Sequence, residues 1–216
     1  MKRISKTCEF EAGDNGLCIF HELDYLNDVE REEEVRKKFL EILNSKNSRC
    51  EPILCIGYNL PSVDVNLTFP SDVYLDSTNF NGPANFANSK FQKVANLYRC
   101  KFKKMANFSD CQFDRMANIG NDSFSEEIAI FGHVTFSGVA SFNTAWFMCG
   151  VNFSQTQFLD NANFFNTYFY DIAIFFGVEF HKNADFMQSK FLNPDPARPC
   201  TFSLMTVWGE IFSRRM

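Results

Sequence analysis

Histidine is scarce in this sequence, and the residue groups on which enzymes depend are missing. There are only three histidines, and no serine, cysteine or carboxylate is spaced to pair with His133 or His181 as a nucleophile or base. The glycines occur singly, as at Gly138 and Gly177, rather than in a loop that could cradle phosphate. These absences argue against catalysis, and we expect a protein that is not an enzyme.

Long hydrophobic runs are also absent. No apolar stretch approaches the roughly 20 residues that span a bilayer. Polar residues, rather than a hydrophobic signal stretch, follow the first three residues. We therefore expect a cytoplasmic location and no membrane span. The eight cysteines are expected to be reduced, because Cys100 and Cys111 occupy positions where a compact hydrophobic residue points inward.

Phenylalanine, by contrast, is abundant, with 27 among 216 residues. Each repeat of the chain is too short to bury its own apolar face, so neighbouring repeats must stack into a solenoid with one continuous core. The repeat is marked by a phenylalanine every eleven residues, with one inserted residue after the fifth, at Phe80, Phe91, Phe102, Phe113, Phe124, Phe136, Phe147, Phe158, Phe169, Phe180 and Phe191.

A second set of positions supports the solenoid. Six residues after most marker phenylalanines lies another large apolar residue, and a small residue precedes most large ones by two, as Ala84 precedes Phe86. Side chains two apart on an extended segment point to the same face, so each repeat is predicted to send two large and two small residues inward. Asp122 is the exception among the small residues. Outward asparagines such as Asn85 can stack in ladders.

Triplets of a small residue, asparagine and a large apolar residue recur in register, at Ala84-Asn85-Phe86, Ala95-Asn96-Leu97, Ala106-Asn107-Phe108, Ala117-Asn118-Ile119 and Ala162-Asn163-Phe164. From Leu67 to Leu192 the chain thereby resembles the pentapeptide-repeat family. The resemblance implies an all-β solenoid, a right-handed quadrilateral parallel β-helix with four five-residue faces in each coil.

The repeat of this chain has eleven residues, whereas two family repeats span ten. We interpret the extra residue, such as Val94, Met105 or Met116, as a widened corner in each half-coil. If two units form one coil, about six coils with a rise of ~4.8 Å give a rod roughly 27 Å long.

Three segments are predicted along the chain: residues 1–66, the repeat region 67–193 and the tail 194–216. In the first, a capping arrangement at Asn27-Asp28-Val29-Glu30 predicts a helix that ends near residues 44–47. Residues 53–58 are expected to form a short strand that leads into the first coil. The opposite, charged face of the helix is interpreted as solvated. Its apolar stripe is expected to cover the first coil and comprises Val35, Phe39, Ile42 and Leu43.

One group of residues is suited to a metal ion: Cys8, Cys18 and His21, with Cys50 or Cys55 as a fourth ligand. Thiolates and imidazole are ligands that tetrahedral zinc prefers, so a structural zinc site is one hypothesis for the N-terminal segment. The alternative is that Cys18 and His21 pack under the helix, since the paired Cys-x2-Cys spacing of common zinc modules is absent. Neither hypothesis implies a reaction, and no other cofactor is expected.

Two groups of outward residues are candidate contact surfaces. A basic collar on the first coils would bind an anionic partner, pair with the acidic helix or merely confer solubility. It comprises Lys90, Lys93, Arg99, Lys101, Lys103 and Lys104. Further along, large apolar residues occupy outward positions, as where Trp146 and Tyr168 are predicted to stack. The predicted interaction surface comprises Trp146, Met148, Phe165, Tyr168, Tyr170, Phe176 and Trp208.

The tail begins after the helix- and strand-breaking segment Asn193-Pro194-Asp195-Pro196. Two roles are open to it, and they are not exclusive. It could cap the last coil of its own chain, or it could pair with a second copy and bury Trp208 at a two-fold axis. Its apolar residues are Phe202, Leu204, Met205, Val207, Trp208, Ile211 and Phe212.

Two hypotheses of function follow. The first is a non-enzymatic scaffold that binds a protein partner or a second copy. The second comes from the resemblance, whose best-known role is mimicry of DNA in the groove of a type II topoisomerase. Residues 67–193 carry eleven acidic and nine basic residues, a net charge of only −2, which favours the first hypothesis. The overall net charge of −5 argues against a nucleic-acid partner.

Overall fold

The chain winds as a parallel β-solenoid of about six turns in a computed structural model that describes residues 17–193, 200–201 and 203–212. Two-residue strands stack in parallel into four sheets, which form the four faces of a quadrilateral rod and are called faces A to D in chain order. The predicted fold class is confirmed. Neither helix in the described part of the chain is both long and apolar enough to cross a membrane.

The strands of each face follow one another at intervals of one coil. Face A contains Ile53–Leu54, Val73–Tyr74, Ala95–Asn96, Ala117–Asn118, Ala140–Ser141, Ala162–Asn163, Ala184–Asp185 and Ile211–Phe212. Face B contains Asn59–Leu60, Asn79–Phe80, Lys101–Phe102, Ser123–Phe124, Trp146–Phe147, Tyr168–Phe169 and Lys190–Phe191. Face C contains Val63–Asp64, Ala84–Asn85, Ala106–Asn107, Ala129–Ile130, Val151–Asn152 and Ala173–Ile174. Face D contains Thr68–Phe69, Lys90–Phe91, Gln112–Phe113, Thr135–Phe136, Gln157–Phe158, Glu179–Phe180 and Thr206–Val207.

Two eleven-residue units make one coil, because Phe80 pairs with Phe102 on the same face. The two kinds of corner differ in length, which accounts for the alternating spacing of five and six. Counted between inward residues, residues 87–88 form a short corner between Phe86 and Ser89, and residues 92–94 form a longer one between Phe91 and Ala95. The inserted residue lies in a corner between faces B and C, where residues 125–128 take the place of 103–105 in the preceding coil.

The short corners place one residue in the left-handed backbone region. Asn88 has a φ of 61° and Asp110 one of 57°, and such residues recur about every eleven positions. The turn is closed by a hydrogen bond such as that from Ser89 N–H to the Phe86 carbonyl at 3.1 Å. The outward asparagine of the triplet also supports the corner, since Asn85 Oδ1 accepts from the Ala87 N–H at 3.2 Å.

Stacked phenylalanines fill the core of the rod. Phe102 lies between Phe80 and Phe124 in one ladder, with ring centroids 4.7 Å and 4.8 Å apart. Rings of adjacent ladders meet edge to face, as Phe102 meets Phe108 at 5.9 Å and 85°. The inward positions predicted from the sequence are buried, except that Ser189 and Phe191 near the end of the rod are partly buried. The alternation of large and small residues lets the rings interdigitate.

Small inward residues also hydrogen-bond to the backbone of the preceding coil. The Thr167 hydroxyl donates to the Phe142 carbonyl at 2.7 Å, and the Cys111 thiol donates to the Phe86 carbonyl at 3.0 Å. These bonds satisfy the buried hydroxyl and thiol groups, and they add a second donor to carbonyl groups that already accept the bond of the short corner. Polar small residues are therefore tolerated inside the rod.

An α-helix, Val29–Ser48, covers the first coil, and a 3-10 helix, Asp24–Asn27, precedes it. The predicted helix start is confirmed: Asp28 caps it by accepting from the N–H groups of residues 30 and 31. The helix ends one residue beyond the predicted range. Val35, Phe39 and Leu43 are buried against the coil, whereas Ile42 is only partly buried. Arg36 Nε donates to the Ser62 carbonyl at 2.9 Å, which fixes the helix to the rod.

The tail adds strands to the end of the rod. Thr206 pairs with Glu179 on face D, and Ile211 pairs with Ala184 on face A, both in parallel. The described tail therefore continues the winding of its own chain. Of the earlier apolar tail residues, Phe202 lies outside the described residues, as do residues 194–199. The division of the chain at 66/67 and 193/194 stays a prediction, although the first strand of the rod already begins at Ile53.

Candidate interaction surfaces

Face B presents an unusual set of side chains to solvent. Successive coils place two outward residues in each row, on either side of an inward phenylalanine. Trp146, Met148 and Leu192 are exposed by 41%, 45% and 44%, while Tyr168 and Tyr170 are half-buried. None of the ten outward residues in these rows is acidic. The rows are Lys101 with Lys103, Ser123 with Ser125, Trp146 with Met148, Tyr168 with Tyr170, and Lys190 with Leu192.

The aromatic rings of face B stack along the rod axis. The Trp146 and Tyr168 ring centroids are 4.8 Å apart with an interplanar angle of 24°, as predicted from the coil register. The other side of Tyr168 faces Lys190, whose Nζ lies 5.2 Å from the ring centroid. In the preceding coil, the residue paired with Trp146 is the small Ser123. Among the described residues, no ring of that coil stacks on Trp146. Among the described residues, Tyr168 and Tyr170 are the rings that stack on Trp146, which stays 41% exposed.

The N-terminal segment occupies the beginning of face B. The Asn59 N–H donates to the Phe20 carbonyl at 2.6 Å, and Asn81 Nδ2 donates to the Tyr25 hydroxyl at 2.8 Å. Burial raises the pKa of Tyr25 to about 12, so this phenol is neutral over the physiological range. The uncovered part of the face begins at the row of Lys101.

The basic collar is spread around the rod rather than gathered on one side. Lys90 lies on face D and Lys93 at the corner that follows, whereas Lys101 and Lys103 lie on face B. Lys90 pairs with Asp114 at 3.3 Å, and Lys104 pairs with Glu126. No ion pair joins the collar to the acidic helix within the described residues, where Glu34 pairs instead with Lys38 of the same helix at 2.8 Å.

The other predicted surface residues lie elsewhere. Phe165 is at the corner between faces A and B, one coil from Met187. Phe176 is exposed at a corner between faces C and D, where it lines a groove of about 620 Å³ with His133, Gln155 and Leu204. Trp208 belongs to face D, 6.2 Å from the His181 ring. The seven predicted residues therefore form at least three separate surfaces.

The last coil exposes much of its apolar surface. Leu204 and Trp208 are exposed by 74% and 71%, and Ile211 and Phe212 by 39% each. These residues sit on the last strands and turns that the structure describes, and among the described residues no further strand pairs with Thr206–Val207 or Ile211–Phe212. The described end of the rod thus combines apolar side chains with open strand edges.

Part of the predicted metal site comes together in the structure. Cys18 Sγ lies 3.0 Å from His21 Nδ1, and His21 Nε2 lies 3.4 Å from the Ile56 carbonyl oxygen. Cys55 is buried and Cys50 is exposed. No three histidine, cysteine or acidic side chains gather as a metal site in the part of the chain that is described. Cys8 lies outside that part, and zinc binding stays a prediction.

Buried cysteines are expected to resist thiol reagents. Burial raises the pKa of Cys111 to about 12 and that of Cys149 to about 11, whereas Cys50 is exposed. In the folded protein we expect iodoacetamide to modify Cys50 rapidly and to leave Cys111 and Cys149 unmodified, as measured by peptide mapping. Labelling in denaturant is the control. Equal labelling of Cys111 and Cys50 in the folded state would contradict the buried placement of Cys111.

Asp122 is a carboxyl group inside the rod. It is completely buried, and its Oδ1 accepts from the Cys100 N–H at 2.7 Å. Its Oδ2 is also buried and has no hydrogen-bond partner among the described residues. Burial raises the pKa of Asp122 well above its ordinary value, against the lowering effect of the Cys100 N–H. The one irregular inward residue of the sequence is therefore an unsatisfied polar group.

Comparison with known proteins supports the repeat assignment. Residues 66–112, about two coils of the rod, match the family model of pentapeptide repeats in nine copies. The same strand register continues beyond them to Phe191. No curated protein and no solved structure matches the chain.

Proposed function

We propose that this pentapeptide-repeat protein is a non-enzymatic scaffold that holds a protein partner on its outer surface. The observation that carries this proposal is the exposure of Trp146, Met148 and Leu192 on one face of a closely packed rod. Clusters of exposed aromatic and methionine side chains are typical of protein contact surfaces. The repeated core gives such a surface a fixed shape, so little ordering is needed on binding.

A second copy of the chain is one partner that the C-terminal coil favours. Leu204, Trp208, Ile211 and Phe212 are exposed on the terminal strands. Contact between two such ends would bury apolar side chains and cover open sheet edges at the same time. The last described coil would then form the interface between the two copies.

Light scattering coupled to size-exclusion chromatography tests this self-association. We expect the wild-type protein to elute as a dimer and Trp208→Ala to elute as a monomer, because the substitution removes the largest exposed side chain of the last coil. Trp146→Ala is the matched control and should remain a dimer. A monomeric wild type would contradict self-association. The zinc content of the same peak is a separate measurement, which decides whether the segment with Cys18 and His21 binds metal.

The alternative function is modulation of a type II topoisomerase by DNA mimicry. That role requires an acidic outer surface, whereas the uncovered rows of face B carry three lysines and no acidic residue. A gyrase supercoiling assay distinguishes the two functions. Inhibition at submicromolar protein would favour mimicry, and unchanged supercoiling would favour the scaffold.

A further inference from the structure

We propose that face B binds an acidic linear protein segment that carries an aromatic side chain. The inference rests on the proposed scaffold function and identifies the class of partner. Lysines lie at both ends of the uncovered rows, and aromatic residues and Met148 lie between them. This order of side chains complements a segment whose apolar centre is flanked by carboxylates.

The charge of the face favours an acidic occupant. Lys101 and Lys103 are exposed and have no ion-pair partner among the described residues, although the whole chain carries a net charge of −5. The adjoining corner carries Glu126, which is paired with Lys104, and the exposed Glu127. An approaching carboxylate therefore meets two unpaired ammonium groups without a competing acid in the same row.

The aromatic anchor is assigned to the space over Ser123. This small residue lies between the rows of Lys101 and Trp146, and it leaves one face of the Trp146 ring uncovered by another ring. A planar side chain placed there would stack on Trp146 and fill the gap between two larger rows. Tyr168 offers no comparable space because Trp146 and Lys190 occupy its two sides.

The size of the face suits a single segment of chain. Its five rows span about 19 Å, from four intervals of ~4.8 Å, which corresponds to roughly six extended residues. A strand of nucleic acid fits less well, because successive bases need separate exposed ring faces, whereas Trp146, Tyr168 and Tyr170 stack on one another.

A second copy of the same face fits poorly as well. A two-fold axis through the row of Ser123 would bring Tyr168 and Tyr170 onto the row of Asn81, which the N-terminal segment already covers. An axis through the row of Trp146 would bring Lys101 and Lys103 against Lys190, which is a repulsive arrangement. Face-to-face pairing is therefore disfavoured in both registers.

Tryptophan fluorescence provides the test, because Trp208→Phe leaves Trp146 as the only tryptophan in the sequence. The probe is a short synthetic peptide with a central phenylalanine flanked by aspartate and glutamate. We expect it to change Trp146 emission, and we expect Lys101→Glu/Lys103→Glu to weaken its binding by about tenfold or more. The matched control is Lys37→Glu/Lys93→Glu, which makes the same charge change on the helix and at another corner and should bind within about twofold of the parent.

Three results with the peptide would overturn the inference, and a fourth comes from single-stranded DNA. The three are no emission change with the acidic peptide at low salt, equal weakening in the control variant, or equally tight binding of a peptide with alanine in place of phenylalanine. Tighter binding of single-stranded DNA would overturn it in favour of nucleic acid. Self-association through the last coil is measured separately, so failure of the peptide would leave the proposed scaffold function standing.

Discussion

A Phe142→Ala variant is expected to lose about 3–5 kcal/mol in the free energy of unfolding, measured by denaturant titration with circular dichroism. Phe142 is fully buried, and its ring stacks on Phe164 with centroids 4.9 Å apart. It also meets Phe131 and Phe153 edge to face at 5.3 Å and 5.2 Å. The loss is large because removal of one ring leaves a cavity that rigid neighbouring coils cannot fill.

The matched control for this variant is Phe176→Ala. Phe176 is 39% exposed at a corner, so its removal opens no cavity and should cost less than about 1 kcal/mol. Equal losses in the two variants would show that the stacked rings are not the main source of stability. A small loss in Phe142→Ala would lead to the same conclusion.

Replacement of Asp122 by threonine is expected to stabilise the protein by about 2 kcal/mol at neutral pH, because a buried and unsatisfied carboxyl group is costly. Threonine occupies the same inward position in other coils, at Thr78 and Thr167, where its hydroxyl donates to a carbonyl of the preceding coil. The variant should therefore replace an unpaired oxygen with a bond that the fold already uses. A lower stability of Asp122→Thr would contradict this account.

The same substitution should change how stability depends on pH. The pKa of Asp122 is raised in the folded protein, so the contribution of this group is fully present below the unfolded pKa of about 3.9. It falls as the pH rises from there through the folded pKa, because deprotonation places a charge in the core. The difference between Asp122→Thr and wild type should therefore grow with pH. Glu127→Gln, at an exposed position, is the control and should leave the dependence unchanged.

Periodicity was sufficient to predict most of the fold. Inward positions such as Ala106 and Phe108 follow directly from the spacing of small and large residues, since only a two-residue alternation buries both. The corners were less predictable. The left-handed position is occupied by residues as different as Asn88, Thr144 and Gln155, so no residue type identifies it. The bend of the chain from one face to the next and the repeated turn bond impose the conformation.

The candidate surface was only partly predictable. Stacking of Trp146 on Tyr168 follows from the coil period, and the two rings are stacked in the structure. The collar, however, was grouped by proximity along the chain, which combined Lys90 and Lys93 with lysines of another face. Lys101 belongs with Trp146, two coils later, because residues one coil apart are neighbours in space. Side-chain geometry, such as the angle and exposure of the Trp146 ring, depends on rotamers and could not be predicted from spacing.

The corner at residues 125–128 has a consequence for how the sequence of such a rod can evolve. It holds one residue more than the equivalent corner of the preceding coil, yet Phe102 still pairs with Phe124 and Ala106 with Ala129. Length can therefore vary at a corner without a shift of the strands on either side. Corners are where insertions could accumulate while the interior stays constant, so new outer loops can be acquired independently of the core.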